Sequence, residues 1–528
     1  MKKLIDEIDI QTFLAPAIMV LIVLTFGVVA PDKFGDIIMI AFTWITTHFG
    51  WFYALGTTAL IFFCFWAGFS KVGKIRLGGK NAKPDMKMGS WIAITFTSGM
   101  ALGVVFYGVG EGLMNYMTPP GFTGLEGGTA QAAEEALKYV FVHWCFQPYA
   151  IYTAAGLGFA FVYWNMNQKF SLSAGLYPLV GEKAYGWRGN IVNWLCLYVM
   201  VATLGTNVGL GTLQLTSGID YVFDFSYDAV VMQMAVIITL AVISITAACT
   251  GIHKGIKYIS VTNMYIFAAI LIWAFCFGGT DFILANTVTS VGKYLDMFLP
   301  QALYLDPTGI STWISDWTIY YWAWWLTVAP LTGLFLAKLA KGRTIREFVL
   351  VNMFIPIGFV VVWFGTFGSS AIFQQMMGND IWGQVEAFGF PVSLFAYLNT
   401  LPCKSILTLL GFLAIFFSFI TQSESMTYTM AGMTAKDNSA DETGEQKSPR
   451  FLKVFWGGSI SLMGFILIQS GGLNAVQKSV VMLGLPILVV IIINCISFAK
   501  ATTNRVKYDY TLSDEDREKL KLEADDAV

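Results

Sequence analysis

The chain has 528 residues, 56% of them hydrophobic, 16% aromatic and only 12% charged, with a formal net charge of -2. A soluble domain carries about 25% charged residues, so most of this chain belongs in lipid, and its near-neutral balance excludes a nucleic-acid binder. The seven cysteines are scattered through apolar runs and the three histidines lie far apart, which points to neither a disulfide framework nor a metal centre.

Apolar spans fall near 12–31, 50–70, 90–116, 138–164, 190–215, 229–250, 256–279, 317–339, 348–375, 404–432, 454–471 and 478–499. Each suits a helix across a bilayer core, so the fold class is all-α integral membrane with about twelve transmembrane helices. The opening MKKLIDEIDIQ is short and mixed in charge, and the run after it is too long for a signal h-region; it reads as the first anchor. Loop charges alternate. Lys71, Lys74, Arg76, Lys80, Lys83 and Lys87 follow the second span, Lys169, Lys183 and Arg188 the fourth, and Lys254 and Lys257 the sixth. The other set carries Glu126, Glu134, Glu135, Asp220, Asp224 and Asp228. Lys and Arg are retained on the cytoplasmic side, so both termini are expected there, in a multi-pass protein of the cell membrane.

The third span, WIAITFTSGMALGVVFYGVGEG, holds Gly99, Gly103, Gly108, Gly110 and Gly112. Glycine costs about 1 kcal/mol against alanine inside a helix. Either these residues allow close helix packing, or the helix is discontinuous there and frees backbone groups for a midplane site lined by Ser98, Met100, Ala101 and Leu102. Glu111 lies near the outer end and reads as a snorkelling or capping residue. In the fourth span, VFVHWCFQPYAIY, Pro148 interrupts the helical ladder, and Trp144, Tyr149 and Tyr152 share a broad face. His143 there reads as a packing or hydrogen-bonding residue. The fifth span offers Thr203, Thr206 and Asn207.

Residues 117–137 form a Gly- and Pro-rich external loop, and 280–316 contain FILANTVTSVGKYLDMF, an expected interfacial helix. The eighth span, from Asp316 to Glu347, packs Trp317, Tyr320, Tyr321, Trp322, Trp324 and Trp325 into one run and ends on Lys338, Lys341, Arg343 and Arg346. An aromatic belt at the headgroups accounts for one or two such residues per helix end. Spacing of three and four puts Trp322, Tyr321 and Trp325 on one face. A wall of π-faces suits a quaternary ammonium, which has no N–H to donate. The tenth span carries Ser418, Thr421, Gln422, Ser423, Glu424 and Ser425, too polar for a lipid face. They either bond between helices or supply oxygen ligands to a small cation. The loop 434–453 is polar, and the tail SDEDREKLKLEADDAV reads as a charged helix or a solvated extension.

The run WTIYYWAWW followed by FLAKLAKGRTIREF, with HWCFQPYAIY and SGMALGVVFYG before it, resembles the betaine/choline/carnitine transporter family over about residues 10–500. The resemblance implies a LeuT-like fold: two leading helices to residue 89, then inverted five-helix repeats (helices 3–7 over 90–280, helices 8–12 over 316–500), and a tail from 501 to 528. It also implies a homotrimer with alternating access to a midplane site. Carried over residue by residue, the substrate box is Trp144, Tyr149, Tyr152 and Trp325, with Tyr320, Trp322 and Trp324 along the path. Met100, Ala101 and Leu102 would also touch the substrate, between Gly99 and Gly103 in the unwound segment. A coupling cation would draw on Thr97, Met100, Ser418, Thr421, Gln422 and Thr206.

The departures bear on coupling. Sodium-dependent members read GMGIG in the third helix where this chain has Gly99, Met100, Ala101, Leu102 and Gly103. Their Thr-Ser pair is Thr421 and Gln422 here, and their fifth-helix threonine pair is reduced to Thr206 beside Ala202. Sodium symport and sodium-independent exchange both stay open. No cofactor, metal or nucleic-acid partner is implied, and no nucleophile–base pair for an enzyme lies in the spans. The rival readings are a carrier of another small amine or amino acid on the same scaffold, and a membrane receptor or channel.

Overall fold

The computed structural model describes residues 6–99, 102–224, 228–250, 253–436 and 448–525. Helices α1 (Ile10–Val29) and α2 (Pro31–Phe69) lead, followed by α3 (Met88–Gly99), α4 (Leu102–Met117), α5 (Ala130–Trp144) and α6 (Phe146–Trp164). Then come α7 (Trp187–Phe223), α8 (Ala229–Thr250), α9 (His253–Phe277) and α10 (Thr280–Asp296). The second half holds α11 (Ile314–Lys338), α12 (Ile345–Met376), α13 (Lys404–Met433), α14 (Arg450–Gln469), α15 (Gly472–Thr503) and, in the tail, α16 (Asp514–Asp525). Among the described residues the extended pairing amounts to two isolated bridges, Ile8 with Ala435 and Arg76 with Thr344.

Ten of these helices are long and apolar enough to cross a membrane. Each overlaps one expected span. The two spans without such a helix, 90–116 and 138–164, fall on the pairs α3–α4 and α5–α6. The second interruption has a local cause. Pro148 cannot donate to the carbonyl of Trp144 and its ring crowds that carbonyl. The chain therefore leaves the helical region at Cys145, with φ -97 and ψ -103, and restarts at Phe146.

Two expectations need correction. The second span starts at Pro31 rather than 50, because proline fits the first helical turn and nothing up to Phe69 stops the helix. The unwound stretch was expected to run from Met100 to Gly103, yet Leu102 and Gly103 already belong to α4 and Gly99 to α3. Met100 and Ala101 lie outside the described residues.

Helix α11 is central, with 89% of its apolar stretch buried against 17% for α8, whose outer face is apolar and exposed. It packs along α6 and α15. Gly333 and Gly156 make the α6 crossing close: a Cβ on Gly333 would sit 2.9 Å from the Gly156 backbone nitrogen. Small residues at such a crossing let two backbones approach, and they draw the aromatic faces of α6 and α11 together.

The segment before α16 is anchored to the body. Asp509 is fully buried and accepts hydrogen bonds from Arg505 Nη2 (2.9 Å), Asn165 Nδ2 (3.2 Å) and Thr511 Oγ1 (2.5 Å). Asn165 caps the end of α6 and accepts from the Gly78 N–H. Asp509→Ala takes away the acceptor that Arg505, Asn165 and Thr511 share, and a hydrogen bond to a charged group is worth about 1.5–3 kcal/mol. Asp509→Ala is thus expected to lower the thermal unfolding midpoint in detergent by several degrees, and an unchanged midpoint would show the tail to be loosely held.

Candidate functional site

The rings that meet come from α5, α6 and α11. Trp325 is their centre: its ring centroid is 5.4 Å from Trp144, 6.0 Å from Tyr149 and 5.3 Å from Tyr152. All four side chains are buried. The break at Cys145 sets Trp144 at the end of one helix and Tyr149 and Tyr152 on the next, so that both pieces face α11. Trp324 adds a further wall, 6.3 Å from Trp144 and 6.2 Å from Trp325. Its indole nitrogen donates to Asn207 Oδ1 at 3.0 Å, which brings α7 to the site.

Trp144 and Tyr152 meet Trp325 edge to face, and Tyr149 and Trp324 meet it at a tilt. A quaternary ammonium held between two faces needs roughly 9 Å between their centroids, since each cation–π contact spans about 4–6 Å. The box is therefore closed on itself, and its rings must part to admit a cation. Two buried donors inside it, the Tyr149 hydroxyl and Trp325 Nε1, have no hydrogen-bond partner among the described residues.

A second aromatic layer covers the box. Tyr320 stacks on Trp324 at 6.0 Å, and its hydroxyl lies 2.9 Å from that of Tyr107. Tyr107, on α4, contacts the rings of Trp144, Tyr321, Trp324 and Trp317. Its hydroxyl also accepts from Gln477 Nε2 at 2.8 Å. Gly103 is one turn earlier on the same face, where a Cβ would meet Trp324 at 2.4 Å and Trp144 at 3.1 Å. The chain thus needs glycine at Gly103 to let two indoles lie against α4. Trp322 is different. It is wholly buried and makes no ring contact with the box residues among the described residues, although it lies three residues before Trp325 on the same helix.

Glu111 also departs from expectation. It neither snorkels nor caps but is completely buried. Its Oε2 accepts from Trp144 Nε1 at 2.8 Å and from the Tyr321 hydroxyl at 2.6 Å, and its Oε1 lies 2.5 Å from His143 Nδ1. His143 Nε2 is 3.0 Å from Thr318 Oγ1. His143 and Thr318 line a separate cavity of about 390 Å³, together with Trp313, Tyr139, Glu135 and Lys138.

The residues read as cation ligands are dispersed. Thr206 Oγ1 lies 3.2 Å from Ser479 Oγ on α15. Ser418 accepts from Asn263 Nδ2 at 2.9 Å, and Thr421 is 3.5 Å from Ser260 Oγ, so both face α9. Gln422 is half-buried nearby on α13. The side chains of Thr97, Met100, Ala101 and Leu102 lie outside the described residues. Tyr107 and Glu111 were the site residues least visible in sequence. The signal was the i, i+4, i+8 stripe of Gly103, Tyr107 and Glu111 on one helix face.

Comparison with known proteins agrees over nearly the whole chain. The model of the family described as BCCT, betaine/carnitine/choline family transporter, matches residues 11–507. The glycine betaine transporter OpuD of Bacillus subtilis is 32% identical over 472 residues, covering 89% of each chain. The osmo-independent choline transporter of Acinetobacter baylyi is 33% identical over 467 residues, covering 87% of each. The ectoine/hydroxyectoine transporter of Virgibacillus pantothenticus is 30% identical over 488 residues, 92% of this chain and 95% of that one. Proteins of this family are multi-pass membrane transporters and not enzymes. With its ten apolar membrane-length helices and a match from residue 11 to 507, the chain belongs to the betaine/carnitine/choline transporter family.

Proposed function

We propose that the chain is a secondary transporter of a quaternary (trimethyl)ammonium compound such as glycine betaine, carnitine or choline. The cation sits among Trp144, Tyr149, Tyr152 and Trp325, with Tyr320 and Trp324 on the path to it. The carrying observation is the convergence of three rings on Trp325 from two other helices. Desolvated cation–π contacts are worth about 2 kcal/mol each, so two or three walls give useful affinity without a charged ligand. The unpartnered Tyr149 hydroxyl and Trp325 N–H are available to the oxygens of the substrate.

In this reading the split pairs α3–α4 and α5–α6 each cross the membrane once, which gives twelve crossings with both termini cytoplasmic. Helices 3–7 and 8–12 form the inverted repeats and rock about the box in alternating access, in a homotrimer. Sodium as coupling ion would use Thr206, Ser418, Thr421 and Gln422 with Thr97 and Met100. The ties of Ser418 and Thr421 to α9 favour sodium-independent exchange instead.

The test is counterflow in proteoliposomes across betaine, carnitine and choline, with and without sodium. Labelled trimethylammonium substrate is expected to accumulate against an unlabelled internal pool. Accumulation of non-methylated amines alone would replace this reading with its rival. That rival, a carrier of another small amine or amino acid, draws support from the ectoine/hydroxyectoine transporter among the relatives.

A further inference from the structure

Glu111 is a carboxylate buried inside a membrane protein, where an ionisable side chain is costly to keep. Among the described residues no lysine or arginine pairs with it; its partners are an indole N–H, a phenol O–H and an imidazole. An indole nitrogen can only donate, so Oε2 acts as an acceptor. The Thr318 hydroxyl makes no other hydrogen bond among the described residues, and its proton is free to point at His143 Nε2. With Thr318 as the donor, Nδ1–H is directed at Oε1 and the imidazole is neutral, a tautomer assigned from the hydrogen-bond geometry. The cluster then carries one net negative charge, spread over an acceptor held by three donors. The charge is one hydrogen bond away from a wall of the box.

We propose that Glu111 is the counter-charge of the aromatic box, acting as a positioning and specificity residue through the Trp144 indole. Two effects follow from the geometry. The 2.8 Å hydrogen bond fixes the Trp144 ring. Donation of the N–H to an anion also enriches the indole π-cloud, and the anion itself attracts a cation across low-dielectric surroundings. The site therefore distinguishes a charged quaternary nitrogen from a neutral group of the same shape. This inference rests on the trimethylammonium reading above and adds to it the origin of the preference for charge.

The probes are choline and its carbon isostere, in which a quaternary carbon replaces the nitrogen. Binding is measured by titration calorimetry on the full chain in detergent, with thermal unfolding as the control for folding. Glu111→Gln keeps the shape and the hydrogen bonds: its carbonyl accepts from Trp144 and Tyr321, and its amide donates to His143 Nδ1 in the other tautomer. Choline binding is expected to weaken by roughly tenfold or more while the isostere changes by less than about twofold. Tyr321→Phe removes one hydrogen bond to the same oxygen and keeps the charge, so it should shift both ligands together. Equal losses for the two ligands in Glu111→Gln, no loss for either, or the same selective loss in Tyr321→Phe would each overturn the proposal. The wild type gives a reading that needs no variant: choline binding no tighter than the isostere also overturns it. A wild type that binds neither removes the trimethylammonium reading itself, a result distinct from all of these.

Discussion

Replacing Trp325 with leucine is expected to weaken trimethylammonium binding by about 3 kcal/mol, on the order of a hundredfold, in a protein that still folds. Trp325 is the ring that Trp144, Tyr149 and Tyr152 all touch. Leucine fills part of the volume and offers no π-face, so it removes the shared wall and leaves the other three without a common partner. The indole nitrogen of Trp325 bonds to nothing among the described residues, so its loss orphans no group in the protein. Calorimetry with choline or glycine betaine, beside size-exclusion and thermal unfolding, separates lost affinity from lost fold. Affinity within about threefold of the wild type would remove the box as the binding site.

The second large effect is expected at the helix crossing beneath the box. Gly333→Val would drive a side chain into the backbone of α6, where even a Cβ lies 2.9 Å from Gly156 nitrogen and 3.1 Å from the Ala155 carbonyl carbon. Neither is the end of a flexible side chain, so one helix must move. Overpacking of this kind costs about 3 kcal/mol or more, and it also separates Tyr149 and Tyr152 from Trp325. Both the unfolding midpoint and substrate affinity should fall. Gly358→Val on α12 is the matched control, since a Cβ there meets nothing within 4 Å. If both variants behave alike, the crossing does not set the box.

Much of this architecture was legible in the chain itself. Long apolar runs report membrane helices because every backbone group must be satisfied internally in lipid. Pro148 announced the interruption that Cys145 makes, three residues earlier than the proline itself. The dense run from Trp317 to Trp325 was visible as composition. Its ring contacts were not: α11 is buried all round, so no polar stripe orients it, and Trp322 makes no ring contact with the box among the described residues. Glu111 was misread for a different reason. Its partners His143, Trp144 and Tyr321 lie 32, 33 and 210 residues away, and only the tertiary fold brings them together. The hydroxyls of α13 carried two meanings in sequence. The contacts of Ser418 and Thr421 with α9 show where those two side chains are directed.

The packing of Trp144, Trp324 and Trp325, edge to face at Trp144 and tilted between the other two, with centroids 5.4 to 6.3 Å apart, has a spectroscopic consequence. Indoles this close share excitation energy, and a carboxylate on the Trp144 nitrogen quenches or shifts whatever that cluster emits. Parting the rings to seat a cation changes all of those couplings at once. The molecule thus carries its own optical gauge of occupancy, built from the same side chains that do the holding.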